Sequence, residues 1–332
     1  MLVITGRNVN HVYPTALFHL QQPSALRRPS RNGPVIEYPT PVTTVYSCPG
    51  ECVLFDPLRD ANPFFHLFEF LWIVAGRDDV AFLHHFVKRI ADYSDDGLTF
   101  SGSYGARLRG SITSVIDKLR ASEDDRRAVA PIYWPSDVAY TGKDLPCNVA
   151  AMFKIRNGAV TLTVANRSND LVYGAYGANV VQFGLLLSYV AAALGRPAGS
   201  YYQVSDSLHL YIDDPKSRLV FESARLLTVD PYDSGEAVAM QLWAGNETRE
   251  DWDRDLAQFF SWWDKGATKD TRPVGFRTAW WNHIASPLWN AYAEYRADKV
   301  ALALQELDTH PDDLSRPDWI EAGRRWLERK AK

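Results

Sequence analysis

The sequence has few cysteines and carries little net charge. Only three of its 332 residues are cysteine, and the formal net charge is -4. Cys48 and Cys52 have no further Cys or His at zinc-site spacing, so no metal is expected. The small negative charge argues against a general polyanion binder and hence against a nucleic-acid partner. Any phosphate recognition must depend on a few local arginines.

Long uninterrupted apolar runs are also missing. Met1 to Leu20 contains several polar residues and no apolar core of a secretory signal, so none is expected. The most apolar run, Ala178 to Leu194, is interrupted by Asn179 and Gln182 and ends at the helix terminator Gly195-Arg196-Pro197. This pattern favours a buried core helix over a membrane span. We therefore expect a reduced, cytoplasmic enzyme with no membrane partner.

What the chain does contain is ample material for a folded core, with 46% hydrophobic and 13% aromatic residues. Hydrophobic periodicity predicts loops and short strands over residues 1–60, followed by alternating helices and strands. The predicted helices are 62–75, 80–93, 111–121, 178–194, 251–265, 285–307 and 318–332. The predicted strands are 128–134, 149–155, 159–166 and 201–211. We expect an α/β (α+β) fold with a catalytic core over 1–230 and a helical C-terminal region over 231–332 packed on it.

A predicted hairpin sets one cysteine beside polar and charged groups. Asn157-Gly158, flanked by β-formers, is a strong hairpin signal. The hairpin would bring Cys147 and the segment Asn166 to Asp170 to the same edge of a sheet. A lone cysteine is more often an inert core residue, and its catalytic use requires a nearby positive charge that favours the thiolate. Arg167, across the hairpin, is the candidate for that charge.

Two further features carry charge in informative places. Glu69 lies in a strongly apolar helical segment, where a carboxylate is costly unless it is paired or protonated. It is either a structural ion pair or a general acid/base. Arg126-Arg127 precedes a predicted strand and follows an acidic run, so it is either a solvated cluster or an arginine pair that reaches a ligand or a partner subunit.

The other candidates are hydrogen-bonding groups. Asp170 and Asn179 flank the predicted flexible turn Tyr173 to Gly177. Asn179 is either a helix N-cap or an amide that pairs with a heterocycle. His209 and Tyr211 share one face of a predicted strand, either as satisfied core groups or as two groups that face a sugar.

Taken together, these residues resemble the thymidylate synthase superfamily, most closely its pyrimidine nucleotide 5-hydroxymethylases. The resemblance extends from about Arg31 to Tyr211, a little over half of the chain. Pro146-Cys147 resembles the nucleophile motif of the family. The other matching motifs are Glu69-x-x-Trp72-x-x-x-Gly76, Tyr104-Gly105, Arg126-Arg127, Arg167-Ser168-x-Asp170, Gly174 with Asn179, and His209-x-Tyr211, with Arg31 as the arginine of a mobile phosphate loop.

The resemblance implies a fold, a reaction and a set of roles. The fold would be thymidylate-synthase-like, with a mixed β-sheet packed by helices. Cys147 would add to C6 of a pyrimidine nucleoside monophosphate, and C5 would receive a one-carbon unit from 5,10-methylenetetrahydrofolate. Glu69, Tyr104 and Asp170 would be the other catalytic residues, with Asp170 and Trp72 contacting folate. The residues that would bind the nucleotide are Arg31, Arg126, Arg127, Arg167, Ser168, Gly174, Asn179, His209 and Tyr211. The enzyme would be a homodimer in which Arg126 and Arg127 reach the neighbouring site.

Several departures from the synthase pattern favour water over hydride in the last step. Ile90 stands where synthases carry a folate-packing tryptophan, Asn148 replaces a histidine, and the final residues are basic rather than an apolar tail. The segment from Gly174 to Asn179 is one residue longer than in synthases. We therefore predict a 5-hydroxymethyl product, made from CMP or dCMP as in nucleoside-antibiotic pathways. A dUMP hydroxymethylase and an ordinary thymidylate synthase are the alternatives for the substrate and the product.

Two rivals belong to other classes. A catalytically dead nucleotide-binding scaffold is disfavoured because Cys147, Glu69, Tyr104 and Asp170 are all present. A cysteine hydrolase would require a histidine partner for Cys147, and His84, His85 and His209 are candidates without a supporting motif.

Overall fold

The computed structural model describes residues 1–223, 229–267, 273, 275–308 and 316–331. Within these ranges the strands are β1 Leu2–Gly6, β2 Leu26–Arg28, β3 Val35–Glu37, β4 Val42–Tyr46, β5 Val129–Pro131, β6 Asn148–Arg156, β7 Ala159–Asn166, β8 Asn169–Asp170, β9 Ala198–Ser205, β10 Leu208–Tyr211, β11 Ala237–Val238 and β12 Arg316–Pro317. The α-helices are α1 Val9–Leu20, α2 Pro63–Val74, α3 Val80–Phe86, α4 Tyr104–Leu108, α5 Ser111–Ala121, α6 Asn179–Ala193, α7 Pro215–Glu222, α8 Pro231–Ser234, α9 Arg249–Asp264, α10 Ser286–Arg296, α11 Val300–Leu307 and α12 Asp318–Lys330.

The strands form mixed sheets. The larger sheet has the order β1-β4-β9-β7-β6-β5, in which β1/β4 and β7/β9 are parallel and the other neighbours are antiparallel. A four-stranded sheet, β2-β3-β10-β8, lies beside it, and β11 and β12 form a short parallel pair. Mixed sheets with helices packed against them confirm the predicted α/β (α+β) class.

The predicted hairpin is present as β6 and β7. Asn157 and Gly158 both have positive φ, +51° and +77°, as a tight two-residue hairpin turn requires. Pairing runs from Arg156 with Ala159 down to Ala150 with Ala165. A β-bulge then shifts the register, so that Asn148 lies opposite Asn166.

Two apolar helices form the centre of the core. Helix α2 begins after Asn62, whose Oδ1 accepts from the Phe65 amide at 3.1 Å, and it has a proline in its first turn. Helix α6 continues from a π-helical segment, Leu171–Ala178. The stretch Leu171–Ala193 is long and apolar enough to cross a membrane, but most of it is buried inside the protein, as in the core helix of a folded domain. The two helices pack against each other.

The C-terminal helices share the aromatic core with α2 and α3. Phe68 contacts Trp289, with ring centroids 5.2 Å apart, and Phe82 contacts Phe260 at 4.9 Å. Edge-to-face aromatic pairs of this kind are worth about 0.5–1.5 kcal/mol beyond their area burial. The division of the chain at residue 230 stays a prediction.

Four local expectations were wrong or incomplete. Residues 1–60 contain helix α1, which places Val9, Val12, Tyr13, Ala16, Leu17 and Leu20 in the core. The predicted helix 80–93 breaks at Val87, which has extended backbone, and continues as a 3₁₀ segment, Lys88–Tyr93. The predicted helix 285–307 breaks at Asp298, which has φ +60°.

The fourth correction concerns the turn expected at Tyr173 to Gly177. These residues belong to the π-helix Leu171–Ala178 and are largely buried. A hydrogen-bond ladder that spans five residues takes up one more residue per turn than an α-helix does. The π-helix can therefore accommodate the extra residue expected between Gly174 and Asn179 without a loop. The last residue of the predicted helix 318–332, Lys332, lies outside the described residues.

Candidate active site

The hairpin brings Cys147 and Arg167 together. The Arg167 amide donates to the Cys147 carbonyl at 3.0 Å, and Arg167 Nη2 lies 3.9 Å from Cys147 Sγ. Arg167 Nε donates to the Pro146 carbonyl at 2.9 Å, and Nη2 also donates to the Leu145 carbonyl at 3.1 Å. These bonds hold the guanidinium beside the thiol in the arrangement that the sequence predicted.

Charge and burial act in opposite directions on the thiol. Burial raises the pKa of Cys147, Arg167 lowers it, and the carboxylates of Asp144 and Asp170 raise it again. Arg31 adds a further lowering influence on the Cys147 pKa. In the described structure the thiolate is therefore not the favoured form at neutral pH, and more positive charge near Sγ would increase its population.

Glu69 is the acid/base candidate. Burial raises the pKa of its carboxyl to about 7, and the Gln182 side chain, which hydrogen-bonds the carboxylate, lowers it in part. Glu69 Oε2 and Gln182 Oε1 are buried and have no hydrogen-bond partner among the described residues. A carboxyl group with a pKa near neutrality beside unsatisfied acceptors can exchange a proton with a ligand or an ordered water. The structural ion-pair alternative receives no support, because no cation pairs with Glu69 in the described ranges.

Tyr104 lies near both the Cys147 thiol and the Glu69 carboxyl group. Burial raises the pKa of its phenol well above the usual value, and the nearby charges of Cys147 and Glu69 raise it further. A hydrogen bond from the Asn148 backbone opposes that rise. Tyr104 opens helix α4, which Ser103 caps through its hydroxyl oxygen. The neutral phenol is therefore available as a hydrogen-bond donor next to Cys147.

Asp170 caps the π-helix and still has a free oxygen. Its Oδ1 accepts from the Tyr173 amide at 2.6 Å, whereas Oδ2 is buried without a partner in the described structure. Burial raises the pKa of this carboxyl, and His209, which lies opposite it in the β8/β10 pairing, lowers it. An orphaned carboxylate oxygen of this kind fits the N–H groups of a pterin, so the residues present are compatible with folate.

Asn179 is held by a residue that the sequence analysis missed. Asn179 Nδ2 donates to Asn169 Oδ1 at 3.0 Å, and Asn169 Nδ2 donates to Ser205 Oγ at 3.2 Å. A Cβ on Gly174 would lie 2.8 Å from Asn169 Oδ1, so any larger residue there would displace the Asn169 amide. In the sequence, Asn169 is visible only as an amide side chain between Ser168 and Asp170. The residues that it bonds in the structure are distant in sequence.

His209 and Tyr211 lie together on β10, with ring centroids 5.1 Å apart. His209 is 5% exposed and contacts Ser207 Oγ through Nδ1 at 3.4 Å. Burial raises the pKa of Tyr211, and hydrogen bonds with Asn32 and Ser30 lower it. The loop that carries Arg31 therefore lies against Tyr211.

Arg31 itself is exposed, and its Nη2 donates to the Lys143 carbonyl at 3.3 Å. Ser168 is half-buried beside Arg167.

The structure does not bring Arg126 and Arg127 to Cys147. Both are exposed, and Arg127 pairs with Asp125 at 2.7 Å. Pairing of Val129 with Met152 places them beside the residues of β6 that lead into its turn, and Cys147 precedes the other end of β6. At about 3.3 Å per residue, the length of β6 separates them from their own Cys147 by roughly 20 Å or more. They cannot serve this site from the same chain.

Trp72 lies in the core instead of on a ligand surface. Its side chain is 3% exposed, and its Nε1–H donates to Asp79 Oδ1 at 3.2 Å. Little of the indole is left for folate to contact, so direct folate binding by Trp72 receives no support from its position.

Further groups that the sequence analysis did not select also lie near the site. Arg59 is 5% exposed, donates from Nε to the Val172 carbonyl at 2.7 Å and packs over the Tyr173 ring. Asn148 is fully buried, donates through Nδ2 to Asn166, and has an unpartnered Oδ1 in the described structure. In the sequence, Gln182 only interrupts an apolar run. Its pairing with Glu69 depends on the packing of α6 against α2.

One group of metal-type ligands occurs in the described residues, away from this site. It comprises His11, Asp230 and Asp233. Arg7 and Asn8 already bond the two carboxylates, at 2.8 Å and 2.7 Å.

Comparison with known proteins agrees with this geometry. Residues 64–222 match the family model described as thymidylate synthase. The chain is 41% identical over 347 aligned positions to the deoxyuridylate hydroxymethyltransferase of Pseudomonas phage M6, covering 99% of this chain and 95% of that protein. It is 42% identical over 189 residues to the deoxyuridylate hydroxymethyltransferase of Bacillus phage SP01, where the match covers about half of each chain.

A solved thymidylate synthase from T4 phage has the same fold, with a TM-score of 0.51 at 18% identity, over 66% of this chain and 81% of that one. The chain belongs to the thymidylate synthase family. It is an enzyme that transfers a one-carbon group to a pyrimidine nucleotide.

Proposed function

We propose that the protein converts dUMP to 5-hydroxymethyl-dUMP, with 5,10-methylenetetrahydrofolate as the one-carbon donor. The observation that carries this proposal is the full-length similarity to a protein named deoxyuridylate hydroxymethyltransferase. It replaces the expected preference for CMP or dCMP, which the named relatives do not support. The dUMP alternative considered from the sequence becomes the leading candidate.

The orientation of Asn179 also favours uracil. With Nδ2 directed to Asn169, the amide oxygen of Asn179 is left to accept a hydrogen bond. Uracil carries a hydrogen on N3, whereas cytosine presents a lone pair there. Cytosine would require the amide to turn over, together with the Asn169 amide that holds it.

The roles of the site residues follow from their positions. Cys147, as the thiolate, would add to C6 of the base, with Arg167 stabilising its charge. Tyr104 would donate a hydrogen bond beside the adduct. Glu69 would move protons at the base, because its pKa of about 7 allows both forms near neutral pH.

5,10-Methylenetetrahydrofolate, when bound, supplies the one-carbon unit that C5 of the nucleotide accepts. Asp170 would hold the pterin through its unpartnered Oδ2. The adjacent buried acceptors Glu69 Oε2 and Gln182 Oε1 suit an ordered water, which the final hydration consumes.

We further propose that the enzyme is a homodimer. One face of the large sheet is only partly buried by its own chain and is lined by small and apolar side chains, namely those of Thr43, Val45, Ala150, Met152, Thr163, Ala165, Tyr202 and Val204. The distance of Arg126 and Arg127 from Cys147 in the same chain is consistent with a role at the site of a neighbouring subunit.

A nucleotide panel tests the proposed function. Purified protein is incubated with 5,10-methylenetetrahydrofolate and CMP, dCMP, UMP or dUMP, and the products are identified by mass. We expect dUMP to gain the mass of CH2O without formation of dihydrofolate. A methylated product with dihydrofolate would indicate a synthase, and turnover of CMP but not dUMP would refute the substrate. Unchanged turnover by Cys147→Ala would refute the mechanism.

A further inference from the structure

A second cleft lies behind the wall of the candidate active site. It has a volume of about 270 Å³ and separates the catalytic core from helix α9 of the C-terminal region. The ends of α2 and α4, the start of α5, the middle of α6 and one face of α9 line it. The cleft lies at the boundary between the catalytic core and the C-terminal region, and small-molecule sites commonly occur at such boundaries.

The inner wall of this cleft is one helical turn away from three residues of the active site. Residues four apart on a helix lie on the same face, one above the other. Three apolar lining residues stand in this relation to site residues: Ile73 to Glu69, Leu108 to Tyr104 and Leu186 to Gln182. All three apolar side chains are at most 5% exposed. A molecule bound in the cleft therefore contacts the same helices that position Glu69, Tyr104 and Gln182.

The polar groups of the cleft leave one positive charge uncompensated. Arg249 donates from Nε to the Tyr189 hydroxyl at 2.8 Å and from Nη2 to Thr113 Oγ1 at 3.2 Å, and it pairs with Asp253 at 3.2 Å. The Tyr189 hydroxyl in turn donates to Asp253 at 2.7 Å. This network is internally neutral. Arg109, at the rim, is exposed and makes no ion pair with any residue that the structure describes.

The Arg109 side chain lies close over Gly76. Its Cγ and Nε lie 3.3 Å from the position of a Cβ on Gly76, which has φ +71° and ends the turn after α2. The absence of a side chain at Gly76 lets the arginine lie flat across the rim. A guanidinium at the edge of an apolar cavity binds an anionic group whose body fills the cavity.

We propose that this cleft binds a small monoanion with an apolar body, of the aromatic carboxylate class, and that its occupancy changes nucleotide affinity at the active site. A cavity of about 150 Å³ accepts benzene, so about 270 Å³ accommodates one or two rings. The anionic group pairs with Arg109 and the rings contact Ile73, Leu108 and Leu186. Because α2, α4 and α6 reach both sites, binding at one alters binding at the other by the same factor.

The test uses 2-naphthoate as the probe and naphthalene-2-methanol as its neutral counterpart, with binding to the full-length protein measured by ligand-observed NMR. We expect 2-naphthoate to bind about tenfold more tightly than the alcohol. Arg109→Met should remove that difference, and Thr113→Trp, which fills the cleft, should abolish binding of both. Arg254→Met, on the same helix α9 but outside the cleft, serves as the matched control and should bind like the unmodified protein.

Coupling is measured by titrating dUMP with and without saturating 2-naphthoate. A change in dUMP affinity of threefold or more, with the same factor for naphthoate in the presence of dUMP, supports the proposal. Equal binding of acid and alcohol to the unmodified protein, or undiminished binding to Thr113→Trp, overturns it. Complete mutual exclusion with dUMP would place the probe in the active site instead, and unchanged affinities would refute the regulatory role. The coupling measurement rests on the proposed binding of dUMP, whereas the comparison of acid with alcohol uses no nucleotide and tests the cleft by itself.

Discussion

Arg167 Nη2 lies 3.9 Å from Cys147 Sγ, held there by hydrogen bonds to the carbonyls of Leu145 and Pro146. The guanidinium is therefore fixed by the backbone on either side of the nucleophile. It stabilises the thiolate and opposes the rise in pKa that burial causes. The charge is supplied by the fold before any nucleotide binds.

Arg167→Gln should raise the pKa of the Cys147 thiol by about one unit, because a charge at about 4 Å contributes roughly 1 kcal/mol or more. Alkylation by iodoacetamide in a Cys48→Ser background, followed against pH, measures this pKa. At pH values below the pKa of the thiol, Cys147 of Arg167→Gln should be alkylated about tenfold more slowly than Cys147 of the unmodified protein. Arg156→Gln, at the turn end of the same hairpin, is the matched control. Identical profiles for all three proteins would refute the role of Arg167.

Glu69→Gln should lower kcat by about 10²–10⁴-fold, the usual contribution of a general acid or base. The wild-type pH profile should show an ionisation near 7, since burial raises the Glu69 pKa to about that value. The variant should lack it. An unchanged midpoint of urea unfolding shows that the variant is folded. An unchanged ionisation near pH 7 would assign it to another group.

Gly174→Ala should weaken nucleotide binding. The new Cβ would lie 2.8 Å from Asn169 Oδ1 and displace the amide that holds Asn179. We expect KM for dUMP to rise about tenfold, equivalent to one lost hydrogen bond of about 1.4 kcal/mol. Gly50→Ala is the control, because its nearest neighbour would be 3.8 Å away. Equal KM values for both variants would contradict this reading of the site.

Asn179→Asp should shift base preference towards cytosine. Asn179 Nδ2 has a second hydrogen besides the one that bonds Asn169, and this hydrogen can be donated to O4 of uracil. A carboxylate has no such hydrogen, but it accepts a hydrogen bond from the exocyclic amine of cytosine. The Asn169 amide can rotate and donate to the new carboxylate. We expect the ratio of kcat/KM for dUMP over dCMP to fall at least tenfold, measured by competition between the two substrates. A uniform loss for both would mean that Asn179 does not read the base.

Asp318 makes stability depend on pH. Burial raises the pKa of its carboxyl to about 7 from a usual value of 3.8, with the Tyr232 hydroxyl, at 2.8 Å, opposing the rise. A raised carboxyl pKa means that the unfolded chain loses its proton first, so stability falls as the pH rises from about 4 through 7.

Urea unfolding should therefore show a free energy of unfolding lower at pH 8 than at pH 5 by about 1–3 kcal/mol. Asp318→Asn should make this dependence clearly weaker, with the remainder due to the carboxyl group of Glu69, whose pKa burial also raises to about 7. If the variant retains the full slope, the pH dependence belongs to another group.

The sequence predicted those parts of the site whose signals are local. Asn157-Gly158 specified the hairpin, and the similar lengths of its two strands brought Cys147 and Arg167 to one edge. Asn62-Pro63 specified the start of α2 and hence the position of Glu69. Each of these inferences depends on residues only a few positions apart.

The sequence could not predict what depends on packing. Pro14 and the surrounding turn-forming residues disguised α1, whose helix forms because six of its apolar side chains are buried against the core. The glycines at 174 and 177 indicated a turn, but burial of Leu171, Val172, Ala175 and Tyr176 supports a π-helix instead. Asn169 and Gln182 became site residues only through partners 10 to 113 positions away, namely Asn179 and Glu69.

The β-bulge in the hairpin determines which residue faces the nucleophile. Val149 is the extra residue, and its carbonyl accepts from the amides of Ile132 and Tyr133 at 2.9 and 3.0 Å. Had the pairing of Ala150 with Ala165 continued in step, Cys147 would lie opposite Ser168, and Arg167 would face the other side of the sheet. The charge state of the thiol is thus an outcome of strand register, and it is sensitive to the backbone of a neighbouring strand that contributes no side chain to the chemistry.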